Sequence, residues 1–206
     1  GEMGADVIKI ETPEGDVNRW TGAARSPGMS TGQLIKGRNK KSIIFNLKVP
    51  EARAPFEKLI ETADVFVHNI RPKAAARLRI DYDTISKLRP DIIYASATGF
   101  GEDGPYADKP AYDDLIQAAS GIASLYGRVT GSPKYAPSVM ADKTTGLFLS
   151  NYIVMALFHR ERTGEGQKLH VPMYESFASF VVNEHLQGQT FAVSYTHLRA
   201  HETSTY

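Results

Sequence analysis

Residues 5–11, Ala5-Asp-Val-Ile-Lys-Ile-Glu11, alternate apolar and polar side chains and favour β-branched types, the signature of a strand. Residues 12–37 carry Pro and Gly punctuation and read as a loop, and a second short strand is expected at 42–46. Pro50 stands where a first helical turn tolerates proline, and Phe56, Leu59, Ile60 and Ala63 then fall on one helical face. A strand at 64–69 follows, then a helix opened by Pro72 and built from Ala74, Ala75, Ala76 and Leu78. Another turn or two at 82–88 ends before Pro90, and 92–98 is a largely apolar strand. After a Gly/Pro loop come helices at 112–125 and about 142–162, a strand at 167–171 and a helix from 174 to about 187. Apolar strands alternating with helices predict an α/β fold: a doubly wound, Rossmann-like, mostly parallel sheet flanked by helices, with ligands at the carboxyl ends of its strands.

Composition narrows the classes of partner. The chain of 206 residues has 24 Lys+Arg against 23 Asp+Glu, 42% hydrophobic residues and no cysteine. A formal charge of +1 gives no general field for a polyanion, and no run of eighteen apolar residues is present, so nucleic-acid and membrane partners are not expected. Without cysteine there is no disulfide framework, no thiolate nucleophile and no Cys-based zinc site, which fits a cytoplasmic protein, and no metal site is expected. The ends suggest a piece of something longer. Gly1-Glu2-Met3-Gly4 enters the first strand almost at once, as though the chain begins inside a folded unit. From Val193 the sequence Val-Ser-Tyr-Thr-His-Leu-Arg-Ala-His-Glu-Thr203 resembles the translation of a transposase adapter used in sequencing libraries. Residues 4–192 are therefore expected to be protein, truncated at both ends, and 193–206 a non-native tail.

Three features invite chemistry. Gly99-Phe-Gly101-Glu-Asp-Gly104 has the GxGxxG spacing after a strand, but Pro105 follows at once and two acids would repel a pyrophosphate, so a close-packed turn is the expected role. Lys36, Arg38, Lys40 and Lys41 form a basic run of the kind usually found on a solvated turn. Arg19, Arg71 and Arg77 differ in following expected strands, where an α/β sheet binds anionic ligands. Asp142 begins the long helix, either as an N-cap or as an ionised, oriented carboxylate able to attack an activated acyl group.

Several stretches taken in order resemble the family III CoA-transferases, of the formyl-CoA and carnitine CoA-transferase kind. They are Gly4-Ala-Asp-Val-Ile-Lys-Ile-Glu11, Gly15-Asp-Val-Asn-Arg19, Gly37-Arg-Asn-Lys-Lys-Ser-Ile43, Asp64-Val-Phe-Val-His-Asn-Ile-Arg-Pro72, Ala97-Thr-Gly-Phe-Gly101, Ala111-Tyr-Asp-Asp-Leu-Ile-Gln-Ala-Ala-Ser-Gly121 and Arg162-Thr-Gly-Glu-Gly-Gln167. The resemblance spans Gly4 to about Phe191 and implies that an upstream loop and a C-terminal part are missing. It implies coenzyme A, carried as an acyl-CoA substrate, a carboxylic acid acceptor, and an intertwined homodimer. In that family an aspartate attacks the thioester, releases CoA and forms an acyl aspartyl anhydride, which exchanges with an incoming carboxylate or with CoA thiolate. Asp142 holds the matching position. CoA contacts carry over to Arg19, Lys48, Asn69 and Arg77, with Phe45, Ile70 and Leu78 as lining positions. The chain departs from the pattern at Thr98, where a lysine is common, and at Lys73, where a glycine is usual.

Two other readings remain open. The related acyl-CoA racemases shift a proton beside the thioester carbonyl and place a histidine where Tyr112 stands; a tyrosine hydroxyl is a poor base near neutral pH. Tyr112 and Asp113 also fit a helix start, an aromatic on the core with an acid beside it. The second reading is a CoA-binding homologue or fragment without activity.

Overall fold

The computed structural model describes residues 1–186, so the expected tail at 193–206 lies outside the described residues. The described residues divide into two compact units, the first Gly1–Ala63 and the second beginning at Asp64. Among the described residues the sheets are parallel and flanked by helices, with one sheet in each unit.

In the first unit β1 (Val7–Glu11) pairs in parallel with β2 (Lys40–Ile44), Val7 opposite Lys40 and Glu11 opposite Ile44. Between them the presumed loop contains a 3-10 turn, Val17–Arg19, and a short helix α1 (Thr31–Lys36). Ser30 caps α1, its hydroxyl accepting from the Gln33 amide at 3.2 Å. Helix α2 (Arg53–Glu61) follows a 3-10 turn opened by Pro50 and buries Phe56 and Ile60. The Phe56 ring meets Phe45 edge to face at 6.5 Å.

In the second unit β4 (Ile93–Thr98) lies between β3 (Val65–His68) and β5 (Gln167–Pro172), both parallel to it. A central parallel strand is covered on both faces, which explains why Ile93, Tyr94 and Ala95 are all buried. The β3 to β4 crossover holds α3 (Pro72–Arg77) and α4 (Tyr82–Leu88), the latter capped by Asp81 through the Thr84 amide. The β4 to β5 crossover is longer and carries α5 (Asp113–Ala119), α6 (Ile122–Thr130) and α7 (Met140–Thr163); α8 (Met173–Leu186) continues from β5. One helix expected at 112–125 is therefore two. Gly121, at φ 87°, stops α5 because only glycine adopts the left-handed region without strain, and α6 restarts beyond it.

Helix α7, about 36 Å long at 1.5 Å per residue, packs on β4, β5, α5 and α8. Its first turn is anchored at Ala141, fully buried with Ile116 of α5 and Phe177 and Val181 of α8. Burying these side chains supplies roughly 1.5–3 kcal/mol for each large one. Further along, Leu147, Val154, Met155 and Phe158 are each about two-thirds exposed. Among the described residues no helix is long and apolar enough to cross a membrane.

Candidate active site

Asp142 is the third residue of α7 and is exposed, one residue after the anchored Ala141. It is not the N-cap. That position falls to Val139, whose side chain makes no capping bond. The capping carboxylate comes from Asp113 at the start of α5: its Oδ1 accepts the Ala141 amide at 2.7 Å and the Asp142 amide at 3.1 Å. Two of the four otherwise unsatisfied amides of the first turn are thus answered from another helix. Nothing in the 136–142 segment foretold this, because the donor and acceptor lie 28 and 29 residues apart. Thr145, one turn on, is buried with its hydroxyl donating to the Ala141 carbonyl at 2.7 Å.

Of the residues expected to meet CoA, Arg19, Phe45 and Lys48 lie in the first unit and Asn69, Ile70, Arg77 and Leu78 in the second; Phe45, Asn69 and Ile70 directly follow strands, whereas Arg77 and Leu78 end a helix. In the first unit, Glu11 closes β1 and organises two of them. Its carbonyl accepts the Phe45 amide at 3.0 Å, which sets Phe45 directly beyond β2. Its carboxylate grips Arg19, with Nε to Oε2 at 2.6 Å and Nη2 to Oε1 at 2.8 Å, and also accepts the Asp16 amide and the Ser42 hydroxyl at 2.9 and 2.7 Å. The Arg19 hydrogen bond, joined by those from Ser42 and Asp16, holds the Glu11 carboxyl down to about 2. Arg19 is correspondingly oriented, with Nη1 directed to the Gly28 carbonyl at 3.5 Å. Lys48 is exposed, three residues past Phe45. The basic run is exposed but is not simply a turn, since Lys36 ends α1 and Lys40 and Lys41 open β2; Arg38 pairs with Glu2, Lys41 with Asp6 at 2.8 Å, and Lys36 donates to Asn18 at 2.9 Å.

In the second unit Asn69 and Ile70 form the turn leaving β3, and Arg77 and Leu78 end α3. His68 fixes that turn. Its Nδ1 accepts the Ile70 amide at 3.0 Å, while Nε2 lies 2.6 Å from the Tyr94 hydroxyl. The Tyr94 hydroxyl donates to the Ile80 carbonyl at 3.1 Å, so its proton is committed and His68 Nε2 must carry the hydrogen of the pair. The geometry therefore selects the neutral Nε2–H tautomer. Burial favours the same form, pushing the His68 imidazolium down to about 4 and the Tyr94 phenol up to about 12. A cavity of about 110 Å³ opens beside this group, lined by His68, Ile70, Tyr94, Ser96, Thr98 and Lys168 among others. A second, of about 270 Å³, lies against Phe148, Tyr152, His170 and Glu175; Asp142 lines neither.

The two departures from the family pattern have defined surroundings. Thr98 is buried, donates to the Phe100 carbonyl at 2.9 Å and lies 2.7 Å from His170 Nε2, so it serves the strand end rather than a surface charge. Lys73 is paired with Asp108, and Arg71 donates to the Asp108 carbonyl at 3.2 Å. The GxGxxG stretch opens no helix. A Cβ on Gly99 would lie 2.4 Å from that of Ala111, and Gly101 donates its amide to Glu175 at 2.9 Å, so these glycines serve close packing and a turn. Tyr112 is 73% exposed, not packed in the core. Among the described residues no group of three or more His, Cys, Asp or Glu is disposed to hold a metal ion.

Comparison with known proteins identifies relatives over most of this chain. The curated relatives include the succinate–glutarate CoA-transferase of Agrobacterium fabrum, 37% identical over 192 residues, which cover 90% of this chain and 48% of the relative. Another is the formyl-CoA:oxalate CoA-transferase of Escherichia coli, 37% identical, covering 84% of this chain and 42% of the relative. The chain thus spans about half the length of the curated relatives it matches. Among solved structures, a CAIB/BAIF family protein from Brucella suis superposes with a TM-score of 0.84 at 33% identity, over 92% of this chain and 51% of the other. The family model described as CoA-transferase family III matches residues 1–204, and the chain belongs to that family.

Proposed function

We propose that the full-length protein transfers CoA between carboxylic acids, with Asp142 as the nucleophile and acyl-CoA and a free acid as substrates. The observation that carries this reading is the position of Asp142: exposed, in the first turn of a 24-residue helix whose preceding residue is locked into the core. Amides and the helix dipole at that end favour an ionised carboxylate, the form a nucleophile needs. A carboxylate oxygen adds to the thioester carbonyl, the carbon–sulfur bond breaks, and the sulfur leaves with the bonding pair as CoA thiolate. The incoming carboxylate adds to the aspartyl carbonyl of the resulting mixed anhydride and expels the first acid; CoA thiolate then attacks the acyl carbonyl of the new anhydride, releasing the product acyl-CoA and the Asp142 carboxylate, so no water and no redox partner enters the balance.

For CoA we infer contacts from Arg19, Lys48, Asn69 and Arg77, with Phe45, Ile70 and Leu78 lining the apolar parts. Guanidinium and ammonium groups suit the nucleotide phosphates, and the apolar side chains suit adenine and the pantetheine arm. Support comes from Arg19, held by Glu11 at the carboxyl end of β1, from Phe45 directly after β2, and from Asn69 and Ile70 directly after β3, since parallel strands bind ligands at their carboxyl ends. The exposed apolar stripe on α7 supports assembly as a homodimer at full length. The test is turnover by the full-length protein with Asp142→Ala beside it: loss of transfer supports the reading, and undiminished transfer overturns it. Deuterium wash-in at the acyl α-carbon, expected to be nil, would point instead to proton-transfer chemistry.

A further inference from the structure

Asp113 and Gln117 lie one turn apart on α5, and between them they hold the segment leading into α7 at four points. Asp113 Oδ1 accepts the Ala141 and Asp142 amides at 2.7 and 3.1 Å. Its Oδ2 accepts Gln117 Nε2 at 2.6 Å. Gln117, only 2% exposed, uses the rest of its amide on the same segment: Nε2 donates to the Ser138 carbonyl at 3.1 Å and Oε1 accepts the Ala136 amide at 2.8 Å. Lys143 adds a bond from Nζ to the Ser138 hydroxyl at 2.9 Å. A buried glutamine with this many satisfied bonds, braced against a carboxylate, defines the backbone of residues 136–142 with little freedom.

We propose that Asp113, braced by Gln117, is a positioning residue for the transfer reaction: it sets the backbone of Asp142 and so the approach of that carboxylate to the thioester carbonyl. The inference rests on Asp142 being the nucleophile. An aspartate is needed because one oxygen must serve two amides while the other faces the Gln117 amino group. A carboxylate only accepts, whereas an asparagine would turn donors toward donors. Misplacing a reacting group by about 1 Å costs roughly 100-fold in rate, so the consequence should appear in the chemical step and not in substrate binding.

The experiment uses the full-length protein and whichever of acetyl-, formyl- and succinyl-CoA the unaltered enzyme turns over fastest. Hydroxylamine traps the activated carboxyl, and mass spectrometry locates the adduct. The unaltered enzyme is expected to be labelled at Asp142. Asp113→Asn should slow labelling at saturating acyl-CoA by about 10- to 100-fold, with KM changed no more than about two-fold. Asp113→Glu retains the charge but lengthens the arm, so it should slow labelling while melting close to the unaltered enzyme, which keeps the test valid should Asp113→Asn fold poorly. Labelling of Asp142 at an unchanged rate in Asp113→Asn and Asp113→Glu, or a loss confined to KM, overturns the positioning role and leaves the nucleophile standing. Labelling elsewhere, or no turnover with any of the three donors, overturns the nucleophile assignment and the inference with it.

Discussion

Replacing Glu11 by glutamine tests how the first unit holds Arg19 at a strand end. The carboxylate is almost completely enclosed, its side chain 1% exposed, and accepts four hydrogen bonds, two of them from the Arg19 guanidinium. Its pKa of about 2, against 4.5 for an ordinary glutamate, corresponds to an upper bound of about 3 kcal/mol at 1.36 kcal/mol per unit. The Arg19 side chain is a quarter exposed, so solvent screening lowers the expected loss to about 1–2 kcal/mol. Glutamine keeps one acceptor oxygen but turns an amino group toward Arg19 or Ser42. Urea unfolding of full-length Glu11→Gln, with hydrogen exchange of peptides from residues 7–44, reads the effect. The sign with pH is fixed: a folded pKa below the unfolded one gives stability that is complete above about 4.5 and lost as pH falls toward 2. The variant should therefore be weaker at pH 7 and converge on the unaltered protein near pH 2. Equal stability at pH 7, within about 0.5 kcal/mol, would refute the network's importance, and so would a gap that persists undiminished at pH 2.

Four further outcomes are expected. His68 should stay neutral, and because its folded pKa is depressed its stabilising contribution falls as pH drops from about 6.5 through about 4; a ring titrating near 6.5 by NMR would contradict the buried tautomer. His68→Ala frees the Ile70 amide, so the KM for acyl-CoA should rise several-fold with kcat little changed; a loss in kcat alone would contradict a role in shaping the Asn69–Ile70 turn. Gly99→Ala drives a methyl to within 2.4 Å of Ala111 and should destabilise by about 1–3 kcal/mol, checked by thermal melting, an unchanged Tm contradicting the close packing. The 206-residue chain alone should self-associate through the exposed Leu147, Val154, Met155 and Phe158 of α7, and a monodisperse, cooperatively melting monomer by light scattering would contradict that.

What could be read from the sequence follows the range of the interaction that determines it. β1, β3, β4 and β5 were legible because alternation and β-branched runs are local, and their ends fall within two residues of expectation. Helix α1 was missed although Ser30 and Gln33 have the spacing of a capping box, because six residues among glycines carry too little apolar periodicity. The break at Gly121 was present as a glycine but not as a boundary, since a glycine inside a helical pattern does not announce a positive φ. Asp142 was found as a helix-start acid. Its cap was not, because Asp113 reaches it through the packing of α5 on α7. The same holds for Arg19, whose position after a strand suggested a ligand contact while its Glu11 partner emerged only from the fold.

The account stands most directly on where the acyl group goes. Full-length protein incubated with acyl-CoA and hydroxylamine, then digested and mapped by mass spectrometry, should carry the modification on Asp142, and Asp142→Ala should lose both the modification and CoA transfer. A modification on any other residue, or transfer that survives Asp142→Ala undiminished, would contradict it.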